Sequence, residues 1–348
     1  MNVPQAGDDR LTMYALLDGE AATGAFRFDL TPGQDSVLDV EATLFPRRAG
    51  VTLGIAPLSS MFLAGENDRR VRDDFRPELH DSDGLLMRTG AEEWIWRPLT
   101  NPIVMRTTSF VDASVRGFGL FQRDRAFESY QDLELSYESR PNYFVEPQGD
   151  WGPGRVELIE APTEDETNDN IMASWVPLTP LEPQKAFRCA YKITACLDSP
   201  RLSPNGRVVH TFMAPARALG SSDTAPPGSC RFLVDFASGD LAYFVADPSQ
   251  VEVVATAVNG KISRTGIAPN PHIDGLRAMF DVSIKPGQTS DLRVFLRSGS
   301  RALTETWTYP WTAAEKPAEV ARETAAEGAP TQHASIHHGG SVHQAIRN

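Results

Sequence analysis

Short runs of alternating apolar and polar residues, separated by turns, constrain the fold of this chain more than any other feature. The runs GAFRFDL at 24–30 and VLDVEATLF at 37–45 alternate with the period of two that a half-buried strand requires. The 26 glycines and 26 prolines among 348 residues punctuate such runs. The pattern predicts an all-β protein with many short strands, arranged as a large sandwich or a barrel-like sheet.

The predicted strands fall into two groups, which indicates two domains. The first group has strands at 11–17, 24–30, 37–45, 51–55, 60–63, 93–99, 104–111, 117–122, 155–159, 171–176 and 186–194, with one short helix at 123–133. The second has strands at 207–212, 230–235, 251–258, 278–284, 291–297 and 302–309. We expect a large β-sandwich domain over 1–198, a Pro-rich linker over 199–206, an immunoglobulin-like sandwich over 207–312 and a disordered tail over 313–348.

Charge and composition exclude several classes of function. The net charge of −13 disfavours nucleic acid and anionic membrane surfaces as partners, since both attract clustered Lys and Arg. No apolar run approaches the roughly 20 residues of a membrane span, so no direct membrane insertion is expected. The first residues, MNVPQAGDD, lack the apolar region of a signal peptide.

The sequence gives little support to a metal or another cofactor. It has no Gly-rich phosphate loop before a helix, no HExxH and no pair of Cys-x-x-Cys motifs. Cys189, Cys196 and Cys230 have no spacing of a disulfide framework, and we expect free thiols. Four histidines cluster in the tail, where a weak metal site and a disordered end both stay open.

Carboxylates carry the candidate chemistry. HDSD at 80–83 lies in an acidic loop that begins at Asp73, and TEDETNDN at 163–170 directly precedes an apolar strand. Two such groups could form the carboxylate pair of a glycoside hydrolase, or they could be solvated turns. Trp94 and Trp96 share one face of a strand beside the first cluster, which suits a carbohydrate ligand if that face is exposed and a core strand if it is not.

Longer segments carry a resemblance that is more specific than these motifs. They are TGAFRFDLTPG, APLSSMF, RPELHDSDGL, GAEEWIWRPLTNP, GFGLFQRDRAFESYQDLE, YESRPNYFVEPQGDWGPGRVELIEAPTEDETNDNIMASW and LTETWTYPW. Nearly collinear from about Met13 to Trp311, they closely resemble the osmoregulated periplasmic glucan biosynthesis protein G/D family. The resemblance implies a galactose mutarotase-like β-sandwich followed by an immunoglobulin-like domain, a periplasmic location and action on a β-1,2-glucan. The family is understood to include anomer-inverting endo-β-1,2-glucanases.

The resemblance also implies site residues. Asp81 of the HDSDG motif matches the general base and Asp169 of the ETNDN motif matches the general acid, with Asp83 a weaker candidate. Asp165 and Glu166 flank Asp169, and their charge could tune it. Candidates for sugar stacking are Trp94, Trp96, Phe118, Tyr143 and Trp151, and candidates for other substrate contacts are Arg76, His80, Asp83, Glu93, Arg97 and Glu166. A core or strand-pairing role stays open for each, and Trp175 is assigned to the core.

The resemblance leaves three functions open. Family members begin with a signal peptide and further β-structure, so we expect an N-terminally truncated domain with exposed sheet edges. The chain could be an endo-β-1,2-glucanase, a non-catalytic glucan-binding or assembly factor beside a membrane glucosyltransferase, or an inactive fragment.

Overall fold

The computed structural model describes residues 7–69, 73–197, 202–218 and 220–315. Within these residues the chain is nearly all β, and no sheet closes into a barrel. This confirms the predicted all-β sandwich class. The described residues, from Gly7 to Glu315, belong to one compact unit. Residues 199–201 of the predicted linker and the histidine-rich end of the predicted tail lie outside the described residues.

The strands are short and follow one another through the chain. The first fourteen are β1 (Leu11–Asp18), β2 (Ala22–Thr31), β3 (Ser36–Pro46), β4 (Ile55–Ser60), β5 (Phe62–Ala64), β6 (Leu79–His80), β7 (Gly84–Arg88), β8 (Trp94–Pro98), β9 (Arg106–Asp112), β10 (Gly117–Phe121), β11 (Asn142–Gln148), β12 (Gly154–Glu160), β13 (Ile171–Pro177) and β14 (Phe187–Cys196). The others are β15 (Arg207–Ala214), β16 (Ser229–Ala237), β17 (Glu252–Ala257), β18 (Lys261–Asn270), β19 (Gly275–Ser283), β20 (Thr289–Ser298), β21 (Arg301–Ala302) and β22 (Thr306–Thr312). The helices are α1 (Phe127–Tyr130) and 3-10 turns at Tyr137–Ser139, Gly239–Phe244 and Pro248–Gln250.

One long sheet runs through the compact unit in the order β1-β2-β3-β14-β11-β10-β7-β8-β22-β20-β17, with β21 beside β20. Two four-stranded sheets, β4-β13-β12-β9 and β15-β16-β19-β18, accompany it, and β5 and β6 form a small pair of their own. The contact between β8 and β22 is parallel, whereas the other strand pairs of the long sheet are antiparallel. This contact joins the two predicted groups of strands in one sheet.

Two hydrophobic cores lie along the long sheet. In the first core, Leu85 and Phe118 of the long sheet and Leu158 and Trp175 of the first small sheet belong to one buried cluster. In the second core, residues of β16 and β19 cluster with residues of β20 and β22, including Trp307. The burial of Trp175 confirms its assignment to the core. The domain boundary at 199–206 stays a prediction.

The sequence pattern missed β6, β7, β11 and β18 and overestimated the helix. β7 is buried along most of its length, so it lacks the alternation that marks a half-buried strand. The helix expected at 123–133 is limited to Phe127–Tyr130, because Gln131 takes the left-handed conformation with φ 58° and ends it. The strand expected at 51–55 begins only at Ile55. No described helix is long and apolar enough to span a membrane. The three cysteines are free, as predicted.

Candidate functional site

Asp81 is held where the β5–β6 pair ends. Phe62 lies opposite His80 in this pair, and the next residue, Asp81, donates its backbone N–H to the carbonyl of Met61 at 2.9 Å. The side chain of Asp81 is 30% exposed. The β5–β6 register therefore presents this carboxylate beside residue 61 while leaving it open to a ligand.

Asp169 is held on the other side of the same segment. It lies two residues before the start of β13, which pairs with β4 so that Met172 lies opposite Ser59. The Ser59 hydroxyl donates to Asp169 Oδ2 at 2.6 Å. The segment from Ser59 to Met61 thus contacts the side chain of Asp169 and the backbone of Asp81, although 88 residues separate the two aspartates in the sequence.

Asn170 ties the two sides together. Its side-chain oxygen accepts the backbone N–H of Phe62 at 2.8 Å, and its amide donates to the carbonyls of Phe62 at 3.0 Å and Ala161 at 2.9 Å. Because Asn170 is buried and fully engaged, it fixes the chain on which its neighbour Asp169 stands.

Four charged groups act on Asp81. Burial raises the pKa of the Asp81 carboxyl, and the negative charges of Asp169 and Glu166 raise it further, whereas Arg140 and His80 oppose the shift. Arg140 Nε lies 3.1 Å from Asp81 Oδ1. Since Asp81 and Asp169 both contact the segment from Ser59 to Met61, each charge lies where it can act on the other.

A charged wall adjoins this pair. Arg76 donates to Glu166 at 2.9 Å and 3.2 Å, to Asp132 at 2.8 Å and to Asp74 at 2.8 Å and 3.1 Å. The Tyr137 hydroxyl donates to Glu166 at 2.7 Å. These acceptors raise the pKa of Arg76, so the guanidinium is a permanent cation.

An open cleft of about 1260 Å³ extends from this wall. It is lined by Asp73, Asp74, Phe75, Arg76, Gln131, Asp132, Leu133, Glu134, Leu135 and Glu166. Its size and its mixture of polar groups with exposed apolar side chains suit a sugar chain.

The remaining acids of the two motifs have other partners. Asp165 accepts hydrogen bonds from Thr167 and Asn168 inside its own turn, and these bonds lower the pKa of Asp165. Asp83 accepts the backbone N–H of Arg123 at 2.9 Å. These hydrogen bonds of Asp165 and Asp83 go to other partners and not to Asp169. The predicted tuning of Asp169 stays a prediction.

His80 is buried behind the site and is not exposed to a ligand. Its Nε2 lies 2.9 Å from Glu78, and its ring stacks on Phe62. Expected among the substrate contacts, His80 instead belongs to the support beneath Asp81. This is a correction that follows from its complete burial.

Two groups of side chains have donors spaced as a cation site would need. They are Glu66, Asp124 and His210, and Glu78, His80 and Asp124, with donor atoms within 4.8 Å of one another. In each group the histidine is already paired with a glutamate, His210 with Glu66 at 2.8 Å and His80 with Glu78 at 2.9 Å. Each group is therefore held by a histidine–glutamate pair, with the histidine fully buried at His80 and partly exposed at His210.

The expectation of exposed tryptophans is wrong. Trp94 and Trp96 are 6% and 3% exposed and belong to the second core, since β8 lies inside the long sheet with a core on each side. The Arg123 guanidinium covers the ring of Trp96 at 3.6 Å. Phe118 is fully buried in the first core. None of these rings can stack on a sugar.

Of the other predicted substrate contacts, Arg97, Glu93 and Trp151 contact other parts of the protein, whereas Tyr143 is exposed. Arg97 is buried and pairs with Glu160 at 2.7 Å, so it is a structural residue and not a ligand contact. Glu93 accepts from Arg293 and Thr306, which belong to the second strand group. Trp151 packs against Trp175. Tyr143 is 42% exposed.

Several residues of the site were absent from the sequence prediction. Ser59 and Arg140 contact the two aspartates directly, and Tyr137 and Asp132 hold the charged wall. Tyr137 and Arg140 belong to the YESR segment at 137–140, which contributes a phenol, an acid and a cation within four residues. The closeness of these polar side chains in the sequence is the feature that could have marked 137–140 as part of the site.

Comparison with known proteins identifies the family of this chain. A sequence model of the family described as "Periplasmic glucan biosynthesis protein, MdoG" matches residues 1–311. The chain belongs to this family. Similar MdoG-family relatives include a probable glucans biosynthesis protein D of Shewanella oneidensis, 45% identical over 314 residues. Others are glucans biosynthesis protein D of Stenotrophomonas maltophilia, 45% identical over 311 residues, and of Xanthomonas campestris pv. campestris, 44% identical over 313 residues.

These alignments cover 89% of this chain but only 57% or 58% of each relative. The chain therefore spans less than two thirds of the length of the MdoG-family relatives that it matches. Asp81, Asp169 and the strands that bring them together all lie inside the matched residues.

Proposed function

We propose that this chain acts in periplasmic glucan biosynthesis by cutting the β-1,2-glucan backbone as an anomer-inverting endo-β-1,2-glucanase. The observation that carries the proposal is the convergence of Asp81 and Asp169 on the segment from Ser59 to Met61. Membership of the MdoG family supports the glucan as substrate. Two facing carboxylates are the groups that glycoside hydrolysis needs.

The two carboxylates have different roles in the proposed reaction. Asp169, in its protonated form, gives its proton to the glycosidic oxygen as the bond breaks. A water molecule attacks the anomeric carbon from the opposite face, and Asp81 takes its proton directly or through a relay. Burial makes Asp81 a stronger base in its ionised form, because a base becomes more effective as its pKa approaches the working pH.

The cleft beside Glu166 supplies a place for the rest of the glucan. Asp132 and Glu166 offer acceptors for sugar hydroxyls, and Arg76 fixes the position of both carboxylates by donating to them. An open cleft suits cleavage within a chain better than removal of single terminal sugars, which a closed pocket favours.

A digest of linear β-1,2-glucan tests the proposal. We expect shorter oligosaccharides from the parent chain, an inverted anomer at the new end by proton NMR, and a loss of at least about a hundredfold in rate for Asp81→Asn and for Asp169→Asn. Asp165→Asn is the matched control, because this acid lies on the same loop but bonds only within its own turn. Products with retained configuration, or equal activity in all variants, would contradict the mechanism.

A non-catalytic role in glucan binding or assembly is the second candidate. The relatives are named for glucan biosynthesis, which favours this alternative. Calorimetry with β-1,2-glucan separates the two: binding without cleavage would establish the second role, and binding together with cleavage that Asp169→Asn abolishes would establish the first.

A further inference from the structure

Arg140 contacts Asp81 but has no role in the reaction proposed above. Arg140 Nε lies 3.1 Å from Asp81 Oδ1, and both atoms are buried. Neither atom has a hydrogen-bond partner among the residues that the structure describes. Each is thus satisfied only by the charge of the other, so removal of either one leaves a buried polar atom uncompensated.

The backbone holds Arg140 in place before any ligand arrives. Arg140 closes the 3-10 turn at Tyr137–Ser139 by donating its N–H to the carbonyl of Tyr137 at 3.1 Å. Its φ of −62° and ψ of 130° match the extended conformation that the following Pro141 requires. Arg125 donates to the carbonyls of Glu138 and Arg140, which braces the turn.

The charges around Asp81 give Arg140 a specific role. Asp169 and Glu166 face Asp81 with negative charge, and His80 and Arg140 face it with positive charge. Glu78 lies 2.9 Å from His80 and offsets much of its charge. The other nearby cation, Arg76, is shared among Asp74, Asp132 and Glu166. Arg140 is therefore the cation that opposes the two acids at Asp81.

We propose that Arg140 is a positioning residue that orients the Asp81 side chain and favours its ionised form, so that Asp81 is ready to accept a proton. The proposal rests on the proposed function for its catalytic meaning, but the ion pair itself is independent of any reaction. Arg140 acts through Asp81 and takes no part in bond breaking. Its charge then extends the activity to lower pH.

Titration of Asp81 tests the ion pair without substrate. Selective ¹³C labelling of aspartate in the full chain gives carboxyl NMR signals, and Asp81→Asn identifies the signal of Asp81. We expect Arg140→Met to raise the pKa of Asp81 by about one unit or more, because an opposite charge at this distance shifts a carboxyl by that amount. Arg140→Lys should raise it less. An identical titration in Arg140→Met and the parent chain would overturn the proposal.

The pH dependence of kcat/KM tests the consequence for catalysis. In Arg140→Met the acid limb should move to higher pH, with kcat/KM about tenfold lower on that limb and nearly restored above it. Arg140→Lys should recover part of the shift, and Arg116→Met, which removes an exposed arginine beside Glu92, should leave the limb in place. An equal loss at every pH would show that Arg140 only binds the sugar and would overturn the proposal. A parent chain without glucanase activity would instead contradict the proposed function, and the NMR titration would still decide the ion pair.

Discussion

At the scale of single residues, burial decides which charges are structural. The Arg97–Glu160 pair is 1% and 0% exposed, with 2.7 Å between Nη2 and Oε2. Glu160 also accepts the backbone N–H of Thr100 at 2.8 Å and its hydroxyl at 2.7 Å. Asp81 and Arg140 are partly exposed and therefore remain available to a ligand. The Arg97–Glu160 pair therefore stabilises the fold, whereas Asp81 and Arg140 can contact a ligand, a difference that the sequence alone does not show.

Removal of one partner of the buried pair should be costly. We expect Glu160→Gln to lower the free energy of unfolding by about 3–5 kcal/mol, because it leaves the guanidinium of Arg97 buried without its counter-charge. Equilibrium denaturation in guanidinium chloride measures this. Glu182→Gln, which breaks an exposed pair with Lys185, should leave the midpoint unchanged. A loss of less than 1 kcal/mol in Glu160→Gln would show that water reaches Arg97.

At the scale of elements, β4 and β5 connect the two halves of the site. The β4–β13 register places Ser59 beside Asp169, and the β5–β6 register places Asp81 beside Met61. Asn170 contacts β4 through its backbone N–H on the Ser60 carbonyl and β5 through its side chain on Phe62. The geometry of the carboxylate pair is therefore a property of strand register, and a shift by one residue would turn a carboxylate to the other face.

Asn170 gives a test of this dependence. We expect Asn170→Ala to cost about 2–4 kcal/mol in the free energy of unfolding, since the buried N–H and two carbonyls lose their partner. Glucanase activity measured well below the unfolding midpoint should also fall, because Asp169 loses its fixed position. Asn168→Ala is the control: its amide bonds only to Asp165 and Thr167 on the exposed loop, and it should affect stability little. Normal stability in Asn170→Ala would mean that the strands hold their register without it.

The alternating pattern predicts most strands but not which of their faces are buried: the fully buried β8 and β10 were predicted, whereas the enclosed β7 and the largely exposed β18 were missed. The alternation around Trp94 and Trp96 correctly predicted β8, but periodicity cannot show that both faces of a strand lie in cores. The missed β7 is the neighbour of β8 and is similarly enclosed. Asp81 and Asp169 were found through family resemblance, because their meeting depends on pairings between distant strands that no local pattern encodes.

At the scale of the whole molecule, the two strand groups are coupled by sheet and by charge. β22 pairs with β8 in the long sheet, and Trp307 lies opposite Trp96. Close to this contact, Arg123 donates to both oxygens of Glu305 at 2.9 Å, and Glu305 also accepts the backbone N–H of Val208 at 3.1 Å. Glu305 is fully buried. We therefore expect the two strand groups to unfold together.

Calorimetry of the full chain tests that coupling. We expect one cooperative transition for the parent chain, since the long sheet continues from one core to the other. Glu305→Ala removes the acceptor of Arg123 and of the Val208 N–H, so the two sandwiches should separate into two transitions, with the lower one several degrees below the parent midpoint. Asp240→Asn breaks the exposed pair with Arg301 and should keep the single transition. Two transitions in the parent chain would show that the predicted domains are energetically independent despite the shared sheet, and the site beside Asp81 would then be supported by the first sandwich alone.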